Sequence, residues 1–350
     1  MARQKKSRPR DPSIVRLSDV AKRAGCSAAT VSRVLNKPDR VNPVVRKRVD
    51  IAIEELGYLR NGAARALRSR RTRTIGAIIP TLDHAIYAHL LSALQACTSE
   101  HGYSLLVTTS GFQIEQELRQ ARLLVERGAE GIVLVGHTHS EALYAALETN
   151  GIPFVNTYTY KPESPHASVG FDNRAAARQI VDYLIDLGHR DFAIMVGFQK
   201  DNDRVKDRVA GALDAIAARR IATAAPIVVE EPYSIEGGRE GLRRILGSGP
   251  GPTAIVCGSD VLAFGAIIEC DSMGVAVPQQ VSIVGFDDLE FAAHLRPPLT
   301  TVRVPAAEMG RRAGELLIAH IGGQPHAAHY PLETNLILRR STAPPRAPEI

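Results

Sequence analysis

From Thr74 onward the chain alternates short apolar runs with longer amphipathic stretches, and this pattern limits the fold more than any other feature. TIGAIIP is followed by AIYAHLLSALQACTSEHG, YSLLVTT by QELRQARLLVERG, GIVLVG by EALYAALETNG, and IPFVNTY by NRAAARQIVDYLIDLGH. The series continues through DFAIMVG, DRVKDRVAGALDAIAARR, PIVVEE, GGREGLRRIL, TAIVCGS, VLAFGAIIECDSMG and VSIVGF. A run that is apolar at nearly every position suits a strand covered on both faces, and such strands are parallel ones joined by helices. About a dozen units are too many for one sheet of ordinary size. The pattern predicts an α/β body over 74–350 made of two doubly wound lobes.

The first 73 residues are of a different kind. They carry 20 Lys+Arg against 6 Asp+Glu, a net charge of +14, whereas the remaining 277 carry 23 against 31, a net of −8. A basic module joined to a mildly acidic body points to a polyanion partner for the module alone. Residues 1–16 read as a solvated basic tail. Residues 17–60 read as three short helices. In RLSDVAKRAG, Val20, Ala21 and Ala24 fall at helical spacing, Ser18 is the expected N-cap, and Gly25 ends the helix. Ser27 caps AATVSRVLN, whose Val31, Val34 and Leu35 face inward. The third helix, PVVRKRVDIAIEELGY, starts at Pro43, stops near Gly57, and carries Val45, Val49, Ala52, Ile53 and Leu56 on one stripe.

Three helices with a tight turn between the first two make a helix-turn-helix, whose second helix enters the major groove of DNA. Ala28 and Ala29 are small enough to let that helix sit deep against thymine methyl groups. Thr30 and Ser32 offer hydroxyls to phosphate, and Arg33 reaches guanine O6 and N7. RLSDVAKRAGCSAATVSRVLN followed by RVNPVVRKRVDIAIEELGYLRN resembles, nearly position by position, the DNA-binding headpiece of the lactose/galactose repressor family. Cys26 stands where the family usually has an aliphatic residue. The resemblance implies that positions 28, 29 and 33 read bases, and that Asn36, Arg40 and Asn42 touch the DNA backbone or neighbouring bases. It also implies that 61–73, containing NGAARALRSRR, is a hinge helix that folds when two copies meet in the minor groove. There Leu67 would wedge into the central base step, with Asn61 and Ala64 beside it.

Ligands of open α/β sheets bind at the carboxyl ends of the strands. The residues in those places are Thr81-Leu82-Asp83-His84, Tyr158 to Tyr160, Phe198, Ser259-Asp260 and Asp287-Asp288. Aromatic rings with carboxylates and hydroxyls suit a polyhydroxy ligand. No dinucleotide fingerprint, P-loop or GxSxG is present. His137 and His139 in GHTHS lack a matching carboxylate or thiol pattern and read as loop histidines, so neither metal nor cofactor is expected. The four cysteines are scattered and read as small core residues.

The body is similar to the periplasmic-binding-protein-like effector domain of the same family. On that resemblance Arg208 in DRVAGAL holds the effector, Asp287 in GFDD accepts its hydroxyls, and Tyr233 stacks on a sugar. PPLTTVRVP is the crossover to the first lobe, which would span about 74–171 plus 304–333, with the second lobe at about 172–300. Ser259-Asp260 replaces the usual Asn-Asp. Tyr158 and Val304 replace an acidic ligand contact and a glutamine of the type member, which argues against a galactoside. His84, Tyr87 and Phe171 fit ligand contact and lobe packing equally well. Lys206 and Arg204 beside Arg208 hint at an anionic sugar.

The function expected is a repressor without enzymatic activity. It would be a cytoplasmic homodimer on pseudo-palindromic operator DNA, controlled by a sugar, sugar acid or sugar phosphate. Neither a secretory signal nor a membrane-spanning run is seen, and there is no C-terminal leucine heptad of the kind that would join dimers. The alternatives are a sugar-binding or sugar-modifying protein with a basic accessory segment, or a regulator co-repressed by a purine.

Overall fold

The computed structural model of the chain describes residues 15–59, 71–220, 225–247, 251–324 and 329–346. The expected hinge residues Asn61, Ala64 and Leu67, and almost all of the basic tail, lie outside them. The chain divides into two compact units, residues 1–72 and 73–350.

The first unit holds α1 (Leu17–Arg23), α2 (Ala28–Asn36), a 3₁₀ turn (Pro38–Arg40) and α3 (Pro43–Leu56). Val20, Ala21, Ala24, Val31, Val34, Val49 and Ala52 form its core, so one apolar stripe from each helix closes a small interior. The N-cap of α1 is Arg16 rather than Ser18. The carboxylate of Asp19, three residues on, accepts the Arg16 N–H at 2.8 Å, and the helix starts two residues before a Ser18 cap would start it. Gly25, at φ +61°, turns the chain out of α1 in the left-handed region. Ser27 caps α2, its Oγ accepting the Thr30 N–H at 3.1 Å, and Asn42 caps α3 through the Val44 N–H at 2.9 Å.

The second unit contains two six-stranded sheets. The first is ordered β11-β5-β4-β3-β1-β2 and the second β12-β10-β9-β8-β6-β7. Strands β1 (Thr74–Ile79), β2 (Ser104–Thr109), β3 (Ala129–Val135), β4 (Phe154–Thr157), β5 (Ser168–Gly170) and β11 (His329–Pro331) build the first lobe, with every pairing parallel. Its helices are α4 (Ala85–Glu100), α5 (Ile114–Glu126), α6 (Glu141–Thr149) and α11 (Ala306–Ile321). The second lobe contains β6 (Phe192–Val196), β7 (Ile227–Glu230), β8 (Ala254–Cys257), β9 (Ser282–Asp287), β10 (Thr300–Arg303) and β12 (Asn335–Ile337). Its helices are α7 (Asn173–Asp186), α8 (Asp203–Arg219), α9 (Ile235–Gly247) and α10 (Asp260–Ser272).

The chain therefore passes between the lobes three times: after β5, after β10 and after β11. The second sheet takes in residues 300–303 from the expected crossover. It also takes in 335–337, which pair antiparallel with β10. Three-residue strands such as β5, β11 and β12 carry too little pattern to be read from the sequence.

Helices pack in pairs on the sheets: α4 with α11, α7 with α8, and α9 with α10. Each pair brings a glycine against a neighbouring backbone: Gly310 at the Leu90 carbonyl, Gly211 at the Arg174 carbonyl, and Gly238 and Gly265 at Leu262 and Ile235. A Cβ at Gly310 would clash with the Leu90 carbonyl, a rigid part of α4. We expect Gly310→Ala to push α11 away from α4 and to lower body stability by about 1–3 kcal/mol, read as a fall in thermal midpoint.

Candidate DNA-reading helix and ligand cleft

The surface of α2 is arranged for docking. Ala28, Ala29 and Arg33 are exposed, while Val31 and Val34 on the opposite side are buried. The Ser27 and Thr30 hydroxyls share a hydrogen bond at 2.9 Å, which fixes both oxygens at the start of the helix. Asn36 Nδ2 donates to the Ser32 carbonyl at 2.5 Å and faces the Ser32 hydroxyl at 3.3 Å. Arg33 and Arg40 are exposed and form no salt bridge among the described residues, whereas Arg23 pairs with Glu55 at 2.7 Å. These two cations lie on and just after α2, where a phosphate or base edge could meet them.

In the body, the carboxyl ends of both sheets face one another across a cleft. A small space of about 40 Å³ lies there, lined from the first lobe by His84, Tyr87 and Tyr158 and from the second by Arg208, Tyr233, Ser259 and Asp287. Arg208 Nε donates to Asn173 Oδ1 at 2.9 Å and Nη1 to the Gly258 carbonyl at 2.6 Å, while its guanidinium lies 3.7 Å over the Phe286 ring. Three separate contacts hold the group in one orientation, with unused N–H groups left for the cavity. Asp287 has φ +120°, and its carboxyl accepts no hydrogen bond among the described residues. Burial raises its pKa to about 7 against the opposing pull of Arg208. A carboxylate kept without donors beside a fixed guanidinium is suited to accept ligand hydroxyls.

Aromatic groups close the other walls. The His84 Nε2–H donates to the Tyr233 carbonyl at 3.2 Å, bridging the lobes, and burial lowers the His84 pKa, keeping it neutral. Tyr87 packs edge-on to Tyr158 at 5.5 Å, and burial pushes its hydroxyl up to about 12. The Tyr158 hydroxyl is already spent on the Ile86 carbonyl at 2.9 Å.

Several expected residues are placed elsewhere. Leu82 is exposed and lines no part of this space, and Phe171 is buried against Phe286 at 6.1 Å. Asp260 is an internal tie: it accepts from the Leu289 N–H at 2.7 Å and the Thr301 hydroxyl at 2.5 Å. Asp288 is held by Arg303 and Arg339, both at 2.7 Å. Lys206 is exposed on α8, so of the basic residues clustered there only Arg204 and Arg208 line the cleft. His137 and His139 bond to Thr159, and to Glu117 and the Gly136 carbonyl, and no metal-binding cluster occurs among the described residues.

A clasp between the lobes was not legible in the sequence. Arg204 lines the cavity, but its Nη1 donates to Asp203 Oδ1 at 2.9 Å and to the Val135 carbonyl of the first lobe at 3.1 Å. Asp203 accepts the His137 N–H, also of the first lobe, at 2.7 Å. Burial disfavours the Asp203 charge, yet Arg204 and the His137 N–H hold its pKa below the ordinary carboxylate value. Gly136, at φ +92°, leaves the space that the guanidinium fills. The one available signal was the adjacency of Asp203 and Arg204 at the start of a helix facing the strand ends.

A basic helix-turn-helix joined to a two-lobed body with a polar cleft defines a DNA-binding protein that answers to a small ligand. Comparison with known proteins narrows this. Residues 16–61 match the bacterial regulatory proteins of the lacI family, and residues 181–342 match the periplasmic binding protein-like domain. The transcriptional regulator MalR of Streptomyces coelicolor is 34% identical, the match covering 94% of this chain and 96% of MalR. The transcriptional repressor CytR of Escherichia coli is 31% identical over 93% of this chain and 96% of its own. The lac repressor dimer bound to operator and the anti-inducer ONPF superposes with a TM-score of 0.84 at 25% identity, covering 94% and 99% of the two chains. The chain belongs to the lacI family and is a DNA-binding transcription regulator.

Asp287 gives this site a pH signature. A carboxyl whose folded pKa is raised contributes stability that is present below the ordinary carboxylate range and is lost as pH rises through about 7. Between pH 6 and 8 the ligand-free wild type should lose about 1.4 kcal/mol more stability than Asp287→Asn. Parallel denaturation curves at the two pH values would show no difference if Asp287 ionises normally.

Proposed function

We propose that the protein is an effector-controlled repressor. As a homodimer it holds a pseudo-palindromic operator through α2, with Ala28, Ala29 and Arg33 reading bases and Ser27, Thr30, Ser32, Asn36, Arg40 and Asn42 setting the docking. A hydroxylated metabolite in the cleft shifts the balance between lobe arrangements and with it the affinity for DNA. The observation that carries the reading is Asp287: a carboxyl without hydrogen-bond donors, facing an oriented Arg208 in a space bounded by both lobes. A ligand there contacts both lobes at once, so its affinity must depend on how they are set.

Dimerisation has support of its own. One headpiece covers one half-site, and phosphate contacts alone bind weakly and with strong salt dependence. The body exposes apolar side chains at Leu106, Val107 and Leu123 in the first lobe and at Ile268, Met273 and Phe291 in the second. The solved lac repressor with operator and anti-inducer is itself a dimer.

Two variants separate the halves of the proposal. Using a duplex selected by the wild-type protein from a random library, Arg33→Ala should lose about 1–3 kcal/mol of specific binding and little affinity for an unrelated duplex. Equal loss on both duplexes would remove Arg33 from base reading. A thermal-shift screen of neutral sugars, sugar acids, sugar phosphates and purines would supply an effector. Asp287→Ala should then keep its circular dichroism and operator binding but no longer respond to that effector. An intact response would take Asp287 out of the site, and a purine that strengthened operator binding would replace release by co-repression.

A further inference from the structure

The inner space of about 40 Å³ holds a few waters at most and cannot by itself house a sugar ring. Directly outside it, between the same two lobes, lies an open chamber of about 790 Å³, within the ~300–1,000 Å³ range of small-molecule sites. His84, Asn202 and Tyr233 belong to the walls of both, so the chambers share a partition rather than lying on separate faces.

The outer chamber has a continuous aromatic wall. The His84 ring lies 6.0 Å from Phe112 and 5.4 Å from Tyr233, and Phe112 lies 6.4 Å from Tyr233. Phe112 is held at φ +60°, a region that bulky residues rarely adopt, and is still 41% exposed. Phe198, from the opposite lobe, is 57% exposed in the same chamber. Exposed phenyl rings on both lobes of a cleft offer flat apolar faces for a ligand ring.

The charged lining is mostly acidic. Asp83, Glu115, Asp201, Glu230 and Glu231 face a single cation, Lys200. Glu231 is paired with Arg244 at 2.6 Å, and Glu230 accepts from the Gln199 backbone and side-chain amides at 3.1 and 2.8 Å. Asp201 and Glu115 form no salt bridge among the described residues. Carboxylates accept hydroxyl donors well and repel phosphate and carboxylate groups. In the inner space the Arg204 charge is balanced by Asp203, and the Arg208 charge faces Asp287.

From these observations we infer that the effector is a neutral oligosaccharide of at least two rings. One ring enters the inner space as the lobes part, against Arg208 and Asp287, and the next lies in the outer chamber against Phe112 and Phe198. This rests on the effector reading above and names its ligand class. The acidic rim sets sugar acids and sugar phosphates apart as poor ligands.

Calorimetric titration of the full chain with maltose, cellobiose and trehalose, beside glucose, gluconate, glucose 6-phosphate and adenosine, tests it. At least one disaccharide should bind about tenfold or more tightly than any of the other four. Phe198→Ala should weaken that disaccharide roughly five- to tenfold and leave the weak binding of glucose unchanged. A Phe112→Ala variant gives the same readout from the other lobe, should the first fold poorly. Tighter binding of a single-ring or anionic ligand, a failure of all three disaccharides, or indifference to both phenylalanine changes overturns the inference. A single-ring or anionic compound that binds and releases the selected operator duplex would overturn the two-ring ligand and leave effector control standing. An operator complex that no compound affects, including those of the wider screen, would remove both.

Discussion

Arg204 and Arg208 stand four residues apart on α8, both withdrawn from water, and the organisation of the cleft depends on how each is satisfied. Arg208 is spent on its own lobe: Asn173, the Gly258 carbonyl and the Phe286 ring hold it still. Arg204 is spent across the cleft, on Val135 of the other lobe and on Asp203, which also accepts the His137 N–H. A buried ion pair gives little net stability, because desolvation offsets most of the attraction. What it does supply is a defined geometry: with the His84–Tyr233 bond it fixes how the lobes meet, and a ligand reaching Arg208 lies beside the clasp.

The same helix links ligand and lobe arrangement. Asn202, its N-cap, lines both chambers, and Asp203 and Arg204 follow at once. A ligand that wedges between Arg208 and the first lobe presses on groups one turn from the interlobe contact. Small displacements there are transmitted because the flanking interior is close-packed, with glycines at the helix contacts leaving no slack.

Much of the architecture was legible in the sequence because it depends on local periodicity. Apolar runs such as TIGAIIP and TAIVCGS can be satisfied in few ways other than as covered strands, and the headpiece carries caps and a turning glycine at nearly every helix end. The misreading of Ser18 is instructive: hydroxyl and carboxylate compete to start the helix, and Asp19 wins by reaching back to Arg16. For the cleft, residues after strands were a sound guide to Asp287, Tyr158 and Ser259. They failed for Asp260 and Asp288, which have the same chemistry but spend it on Leu289 and Thr301 and on Arg303 and Arg339. Of the two roles open to Phe171 and to Lys206, packing against Phe286 and exposure to solvent are the ones taken, because their direction is set by contacts that no nearest neighbour in the chain announces.

What the sequence by itself determined is the division of labour: a basic, three-helix reader and an acidic, doubly wound body, because charge and hydrophobic period are properties of the chain alone. Only the tertiary structure decided which like residues serve the cleft and which serve the scaffold. Arg204 became a clasp, Arg208 an oriented donor and Lys206 a solvated charge, though all lie within five residues. The physical reason is that an ionisable group is defined by what surrounds it once water is removed. Those surroundings come from segments as distant as Val135 and Gly258, brought together when two sheets close face to face.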